Sequence, residues 1–331
     1  MSPTAMASGD LTVVALSGGI GGAKLALGLK RVLPPGALSV IANTGDDFEH
    51  LGLTVSPDID TLVYTLAGLS NTAQGWGRAD ETWTFMSALA ALGGPGWFQL
   101  GDGDLAMHVM RTHRLAAGET LTAITEDLAQ SLDVGAAILP MADQPVRTKL
   151  VTAHGLLDFQ DYFVRQRAEP AIAGVRYAGA EAAEVTAAVR AVLSDPALVA
   201  IVIAPSNPVI SVEPILAVSG MRDAIRRAGV PVVAVSPIIA GQAVKGPTAK
   251  MMRELGQEPT AGNVLERYRG LVDAFIADPA DIRDLEGQGD GVTLIGANVM
   301  MRTLEDRERL AGLVIETAAS LVGEPARTGE P

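Results

Sequence analysis

The sequence predicts an α/β protein: a mostly parallel sheet covered by helices on both faces, with a smaller α+β insertion. Two observations predict it. Short, nearly continuous apolar runs, not alternating ones, recur in both halves of the chain, as strands covered on each side require. Between those runs stand segments with helical spacing of apolar residues, the alternation that produces crossover helices.

Residues 11–16 (LTVVAL) form the first run and end at a glycine cluster; 23–33 follow with helical spacing and stop at Pro34-Pro35-Gly36. A second run, 38–42, ends in Asn43-Thr44-Gly45-Asp46-Asp47. Residues 51–55 read as a third strand, and Ser56-Pro57-Asp58 begins a helix over 59–69. From 116 to 192 the pattern is mixed, with a helix at 121–132 and strands at 136–139, 147–152 and 175–177. The earlier grammar returns at 198–204, ending in Pro205-Ser206-Asn207-Pro208, and at 230–235, ending in Ser236-Pro237. Buried-strand candidates at 272–276 and 292–295 and a helix over 302–321 close the chain. The expected division is 10–115 for the first half of the core, 116–192 for the insertion, 193–322 for the second half and 323–331 for a disordered tail.

Bulk properties narrow the function classes. With no Cys, disulfides and thiolate metal sites are excluded, and a reducing compartment, the cytoplasm, is expected. Net charge is −13 and no Lys/Arg-rich block occurs, which argues against nucleic acid and anionic membranes as partners. A polyphosphate ligand would therefore need compensation from lysines, backbone N–H groups or a divalent cation. The first apolar run is too short for a signal peptide or a membrane span. His50, His108, His113 and His154 lack zinc spacing, and no G-x-S-x-G elbow is present.

In open α/β sheets ligands bind beyond the carboxyl ends of the strands, so the loops after the apolar runs carry the candidate chemistry. Gly18, Gly19, Gly21 and Gly22 with Lys24 (SGGIGGAK) would let backbone N–H groups and a helix start approach a phosphate, or simply make a tight strand–helix turn. It is neither a Walker A loop nor a clean GxGxxG. Asp46, Asp47, Asp58 and Asp60 offer hard oxygens suited to Mg²⁺, against the alternative of turns and helix caps. Trp76, Trp83 and Trp97, with Phe85 and Phe98, fall in one segment, and Phe159, Tyr162 and Phe163 in another; they suit a planar ligand or a core. Ser206-Asn207-Pro208 could close on a base or ribose, and Lys245 and Lys250 on phosphate.

Taken in order, nine segments resemble the two-phospho-lactate transferase family of deazaflavin coenzyme F-420 biosynthesis over residues 11–319. They are SGGIGGAKL, NTGDD, SPDIDTLVYTLAGL, GWGRADETWTF, WFQLGDGDLAMHVMRT, ILPMADQPVRTK, FQDYFVR, APSNPVISVEPIL, and SPIIAG with KGP. The resemblance implies a doubly wound Rossmann-like core and a cytoplasmic homodimer. It also implies transfer of a phosphorylated three-carbon acid, 2-phospholactate or phosphoenolpyruvate, from a guanosine diphosphate-linked donor. The acceptor would be the ribityl hydroxyl of the deazaflavin Fo, with Mg²⁺ as cofactor and GMP released. Carried onto this chain, it makes Asp46 and Asp60 the metal and Fo ligands, with Asp46, Asp47 and Asp60 catalytic. It sets Trp76, Arg78, Asp80 and Trp83 around the deazaflavin. By the same resemblance Ser206, Asn207 and Pro208 fall to the guanine nucleotide, with Asn43 also expected there; the N–H groups of the glycine cluster and Lys24 or Lys245 are expected to receive charge on the leaving phosphate. The alternatives are a nucleotide-sugar-binding regulator of the same fold and, on fold alone, a nicotinamide-dependent oxidoreductase.

Overall fold

The computed structural model describes residues 11–243, 246–285 and 291–322, so Lys245 and the expected tail 323–331 lie outside the described residues. The chain opens with β1 (Thr12–Ser17), α1 (Gly19–Val32) and β2 (Leu38–Ala42). α1 ends where Pro34 removes a donor, with Lys30 and Arg31 in its last turn, where the helix dipole favours cations. A hairpin follows, β3 (Phe48–His50) and β4 (Leu53–Val55), turned by Leu51 and Gly52 at φ 54° and 75°. Both central residues at positive φ make the turn that matches strand twist. The expected third strand is therefore a hairpin arm outside the main sheet, not a neighbour of β2.

Next come α2 (Pro57–Leu66), with Pro57 in its first turn, then α3 (Thr84–Ala91), α4 (Asp102–Ala116), α5 (Leu121–Ser131) and β5 (Ala137–Pro140). Three antiparallel strands, β6 (Arg147–Thr152), β7 (Gly155–Asp158) and β8 (Ile172–Ala178), form a separate sheet with β6 in the middle. The second half runs α6 (Ala187–Leu193), β9 (Leu198–Ile203), α7 (Glu213–Ala217), α8 (Met221–Ala228) and β10 (Val232–Val235). A short hairpin of β11 (Ile238–Ile239) and β12 (Gln242–Ala243) leads to α9 (Thr248–Glu254), α10 (Ala261–Arg267) and β13 (Ala274–Ala277). α11 (Pro279–Arg283), β14 (Thr293–Gly296) and α12 (Leu304–Val322) complete the chain.

Seven strands make one parallel sheet in the order β14-β13-β10-β9-β1-β2-β5. The chain winds outward from β1 in one direction and, from β9, in the other, so the switch point lies between β1 and β9. This is the doubly wound Rossmann-like arrangement that the apolar runs predict. The segment 116–192 divides: α5 and β5 join this sheet, and only residues 147–178 form the antiparallel one. The inserted part is narrower than the sequence reading put it, because a four-residue edge strand carries too little pattern to show its partner.

Strand residues alternate between two cores. Val13, Ala15, Val40, Val202 and Val235 bury against α1, α2 and α12. Val14, Leu16, Ile41, Ile201, Ile203 and Ala234 bury against the opposite helical layer. Among the described residues no helix is long and apolar enough to cross a membrane.

α1 and α12 cross at Gly28, where an added Cβ would overlap the Arg307 carbonyl and press on Ala311. Gly28→Ala should therefore cost about 1–3 kcal/mol despite alanine's better helix propensity. Equilibrium urea denaturation checks this; an unchanged or raised midpoint would contradict the close crossing.

Candidate active site

The loops after β1, β9 and β10 and the chain after β14 converge at one edge of the sheet, the carboxyl edge, around a cavity of about 510 Å³. It sits at the switch point, where open parallel sheets bind ligands. Gly18, Gly19, Gly21 and Lys24 line it, together with Ser206 and Asn207. The glycines allow close approach: a Cβ on Gly21 would meet the Pro205 carbonyl, and one on Gly18 would meet the Asp58 carboxylate and Ser211. Gly22 is turned away from the cavity; its missing side chain makes room for the hydroxyls of Ser17 and Ser206. Ser206 holds the two strand ends together, donating from Oγ to the Gly18 carbonyl at 2.8 Å. Asn207 accepts from the N–H groups of Val209 and Ile210 and so begins the π-helical turn Pro208–Val212. Pro208 is buried in that turn and does not line the cavity.

Two carboxylates face this space, Asp46 and Asp58. The side-chain amide of Asn43 donates to Asp46 Oδ1 (3.1 Å), Asp58 Oδ2 (2.8 Å) and the Ile210 carbonyl (3.1 Å). Asp58 Oδ1 also accepts the N–H of Gly19 at 2.7 Å, so a protein carboxylate already stands at the start of α1. Burial raises the pKa of both acids, Asp58 to about 6 and Asp46 well above the ordinary carboxylate range, and for Asp46 the Asp58 charge adds to the rise. Asn43 thus shapes the pair from behind and presents nothing to the cavity.

Aromatic surface comes from two directions. Phe159 and Phe163 stack at 5.4 Å with planes 9° apart, and both line the cavity. Trp76 lines it too, with 48% of its surface exposed. The other tryptophans do not join. Trp97 packs on His50 (5.0 Å) and, with Phe98, on Phe48 in a half-buried aromatic cluster at the β3–β4 hairpin. Trp83 precedes α3 and is off the cavity. Arg78 and Asp80 are off it as well: Arg78 pairs with Glu81 at 3.4 Å, and Asp80 occupies a turn at φ 56°.

The family described as 2-phospho-L-lactate transferase CofD matches residues 13–290. The chain belongs to this family. A Streptomyces griseus protein called phosphoenolpyruvate transferase is 41% identical over 315 residues, covering 93% of this chain and 98% of the relative. One of the same description from Mycobacterium tuberculosis is 36% identical, covering 88% and 94%. A crystal structure of a upf0052 family member from Bacillus halodurans superposes with a TM-score of 0.61 at 15% identity, covering 93% of this chain and 99% of that one. The last likeness shows the fold alone. The first two make the chain a transferase.

Asp60, expected beside Asp46, lies elsewhere. Asp58 and Asp60 are two residues apart in the first turn of α2, so they point to different sides of the helix. Asp60 is buried against the Arg111 guanidinium, which binds both its oxygens, and does not line the cavity. Ligand atoms of Asp60, Asp104 and His108 fall within 4.8 Å of one another, yet a metal there would meet the Arg111 cation. The group reads as a buried ion-pair network in which Tyr64 also donates to Asp104 at 2.6 Å. Arg111 is 51 residues from Asp60 in sequence, and although it lies in the segment WFQLGDGDLAMHVMRT, nothing in that segment names its partner. Lys250 is likewise committed, donating to Glu254 (2.9 Å), Tyr162 (3.2 Å) and the Pro170 carbonyl (2.8 Å).

Asp47 is also set back from the cavity. Ser56 donates to its Oδ2 at 2.9 Å, while Oδ1 is enclosed without a partner among the described residues. Burial pushes its pKa up to about 7, only partly offset by Arg147 and Arg111. A carboxyl whose folded pKa exceeds its unfolded value of about 3.9 contributes stability at low pH that is lost as pH rises to the folded pKa. Relative to Asp47→Asn, the wild-type protein should lose stability between about pH 4 and about pH 7 and then level off. Urea midpoints of both proteins across that range test this; a difference independent of pH would contradict it.

Proposed function

We propose that the protein moves a phosphorylated three-carbon acid, most simply the phosphoenolpyruvyl group, from a guanosine diphosphate-linked donor to the ribityl hydroxyl of Fo. The observation that carries this reading is one cavity that joins a glycine-lined phosphate approach, a carboxylate pair and stacked aromatic rings. Membership in the transferase family and relatives called phosphoenolpyruvate transferase support it.

The reaction is a displacement at phosphorus. The hydroxyl oxygen of Fo forms the new P–O bond, the bond to the GMP phosphate breaks, and the hydroxyl proton needs an acceptor. Asp46 fits that role, because it faces the cavity and burial beside Asp58 makes it more basic than an ordinary carboxylate. Asp47 does not, being enclosed. The N–H groups of Ile20 and Gly21 in the first turn of α1 receive phosphate charge with Lys24, which also donates to the Met301 carbonyl at 3.1 Å, and Ser206 keeps the start of α1 registered on the β9 end. Trp76 and the Phe159–Phe163 stack offer faces to the deazaflavin ring.

Mg²⁺ fits the residues present. Two buried carboxylates tied through a single amide are short of positive charge, and hard oxygens are the donors this ion takes. Asp46 and Asp58, in place of Asp46 and Asp60, would hold it. When bound it would offset the negative charge that two phosphates bring to an acidic protein.

Asp46→Asn and Asp58→Asn should each lower GMP release on the order of 100- to 10,000-fold while leaving the far-ultraviolet circular dichroism unchanged. EDTA should silence the wild-type enzyme and Mg²⁺ restore it. Near wild-type turnover in either variant would remove the carboxylate pair from the chemistry. Trp76→Ala should weaken Fo about two- to tenfold in a fluorescence titration with little change for guanosine diphosphate. Equal losses for both ligands would point to a structural role for the ring.

A further inference from the structure

A smaller annex of about 160 Å³ opens beside the main cavity, and Ile20, Lys24, Thr61, Gly75 and Trp76 line both. Thr61 is one helical turn beyond Asp58 on α2, so the annex meets the main cavity at its acidic end. The chemistry of the annex is the reverse of that end. Its described lining carries three cations, Lys24, Arg302 and Arg307, with hydroxyl and amide groups from Ser70, Asn71 and Thr72, and no carboxylate. Arg307 Nε is enclosed and has no hydrogen-bond partner among the described residues. A buried guanidinium donor left unpaired is costly unless a ligand completes it. The close crossing at Gly28 sets the Arg307 backbone against α1, and Arg307 lines the annex from that point of α12.

We propose that the annex is the subsite for the carboxylate of the transferred three-carbon acid, bound by Arg307 and Arg302. The assignment rests on the transfer reaction proposed above. Its physical basis is separation of charge. The phosphates take the glycine loop beside the carboxylate pair, and the remaining anionic group of the donor needs a place away from Asp46 and Asp58. A planar guanidinium matches a carboxylate with two parallel donors, and the annex is sized for a small acid and not for a nucleoside. Lys24, on the shared wall, is placed between the two anionic ends of such a donor.

Two binding measurements on the full-length protein with Mg²⁺ test this without turnover. In the first, isothermal titration compares guanosine diphosphate with the guanosine diphosphate-linked acid, for wild type, Arg307→Gln and Arg302→Gln. The wild type should favour the acid-bearing nucleotide by about ten- to a hundredfold, and Arg307→Gln should erase that preference while keeping its affinity for guanosine diphosphate. Retained guanosine diphosphate binding also reports a folded variant, and the more exposed Arg302→Gln gives a second reading of the same preference. Preference unchanged in both variants, or an equal loss for both nucleotides, overturns the proposal. In the second, phosphoenolpyruvate alone is titrated: wild type should bind it and Arg307→Gln should not. Failure of the wild type to bind either nucleotide would count against the transfer reaction, whereas failure to bind phosphoenolpyruvate would count against the annex.

Discussion

The site depends on one interaction, the amide of Asn43 holding Asp46 and Asp58 side by side in a buried place. Like charges in low dielectric repel, and neither acid would sit there ionised without compensation. The amide supplies part of it, the N–H of Gly19 another part, and both acids hold their protons more tightly than usual. What remains unmet is a demand for positive charge directed into the cavity. The glycine loop, the stacked rings and the cation-lined annex are arranged around that demand.

A second layer stands behind the first. Arg111 binds Asp60 through both oxygens and contributes positive potential at Asp47, so the acids that do not face the cavity are balanced from within the fold. Breaking such a buried pair leaves an uncompensated charge, which is why the network positions the acidic loop even though it does not contact the cavity. The division of labour follows from α2: its first turn sends Asp58 one way and Asp60 the other.

Much of this was legible in the sequence. Runs such as 198–204 are apolar at every position because both faces of the sheet are covered, and that pattern is enough to read a parallel core. The glycines after β1 and the acids after β2 mark the cavity by type and position. Asp58 and Asp60 stand two residues apart in the first turn of α2, a spacing that turns them to different sides; which of the two faces the cavity is decided by Arg111, whose approach to Asp60 is a long-range contact. The hairpin at 48–55 does not show in the sequence because Leu51-Gly52 is a weaker turn signal than Asn-Gly. The three tryptophans could not be told apart in sequence, since whether Trp97 meets His50 or a ligand is decided by long-range contacts. Arg307 carries no motif, and only the crossing of α12 over α1 brings it to the annex.

The cavity wall draws on residues from Gly18 to Met301, taken from both halves of the doubly wound sheet and from the antiparallel insertion between them. No contiguous stretch of chain contains it. During synthesis the glycine loop and the acid pair therefore emerge long before the serine and methionine walls that finish the enclosure. A shortened or nicked polypeptide would keep its motifs and still lack a chamber, so recognisable sequence and working chemistry part company here until the last helix has docked.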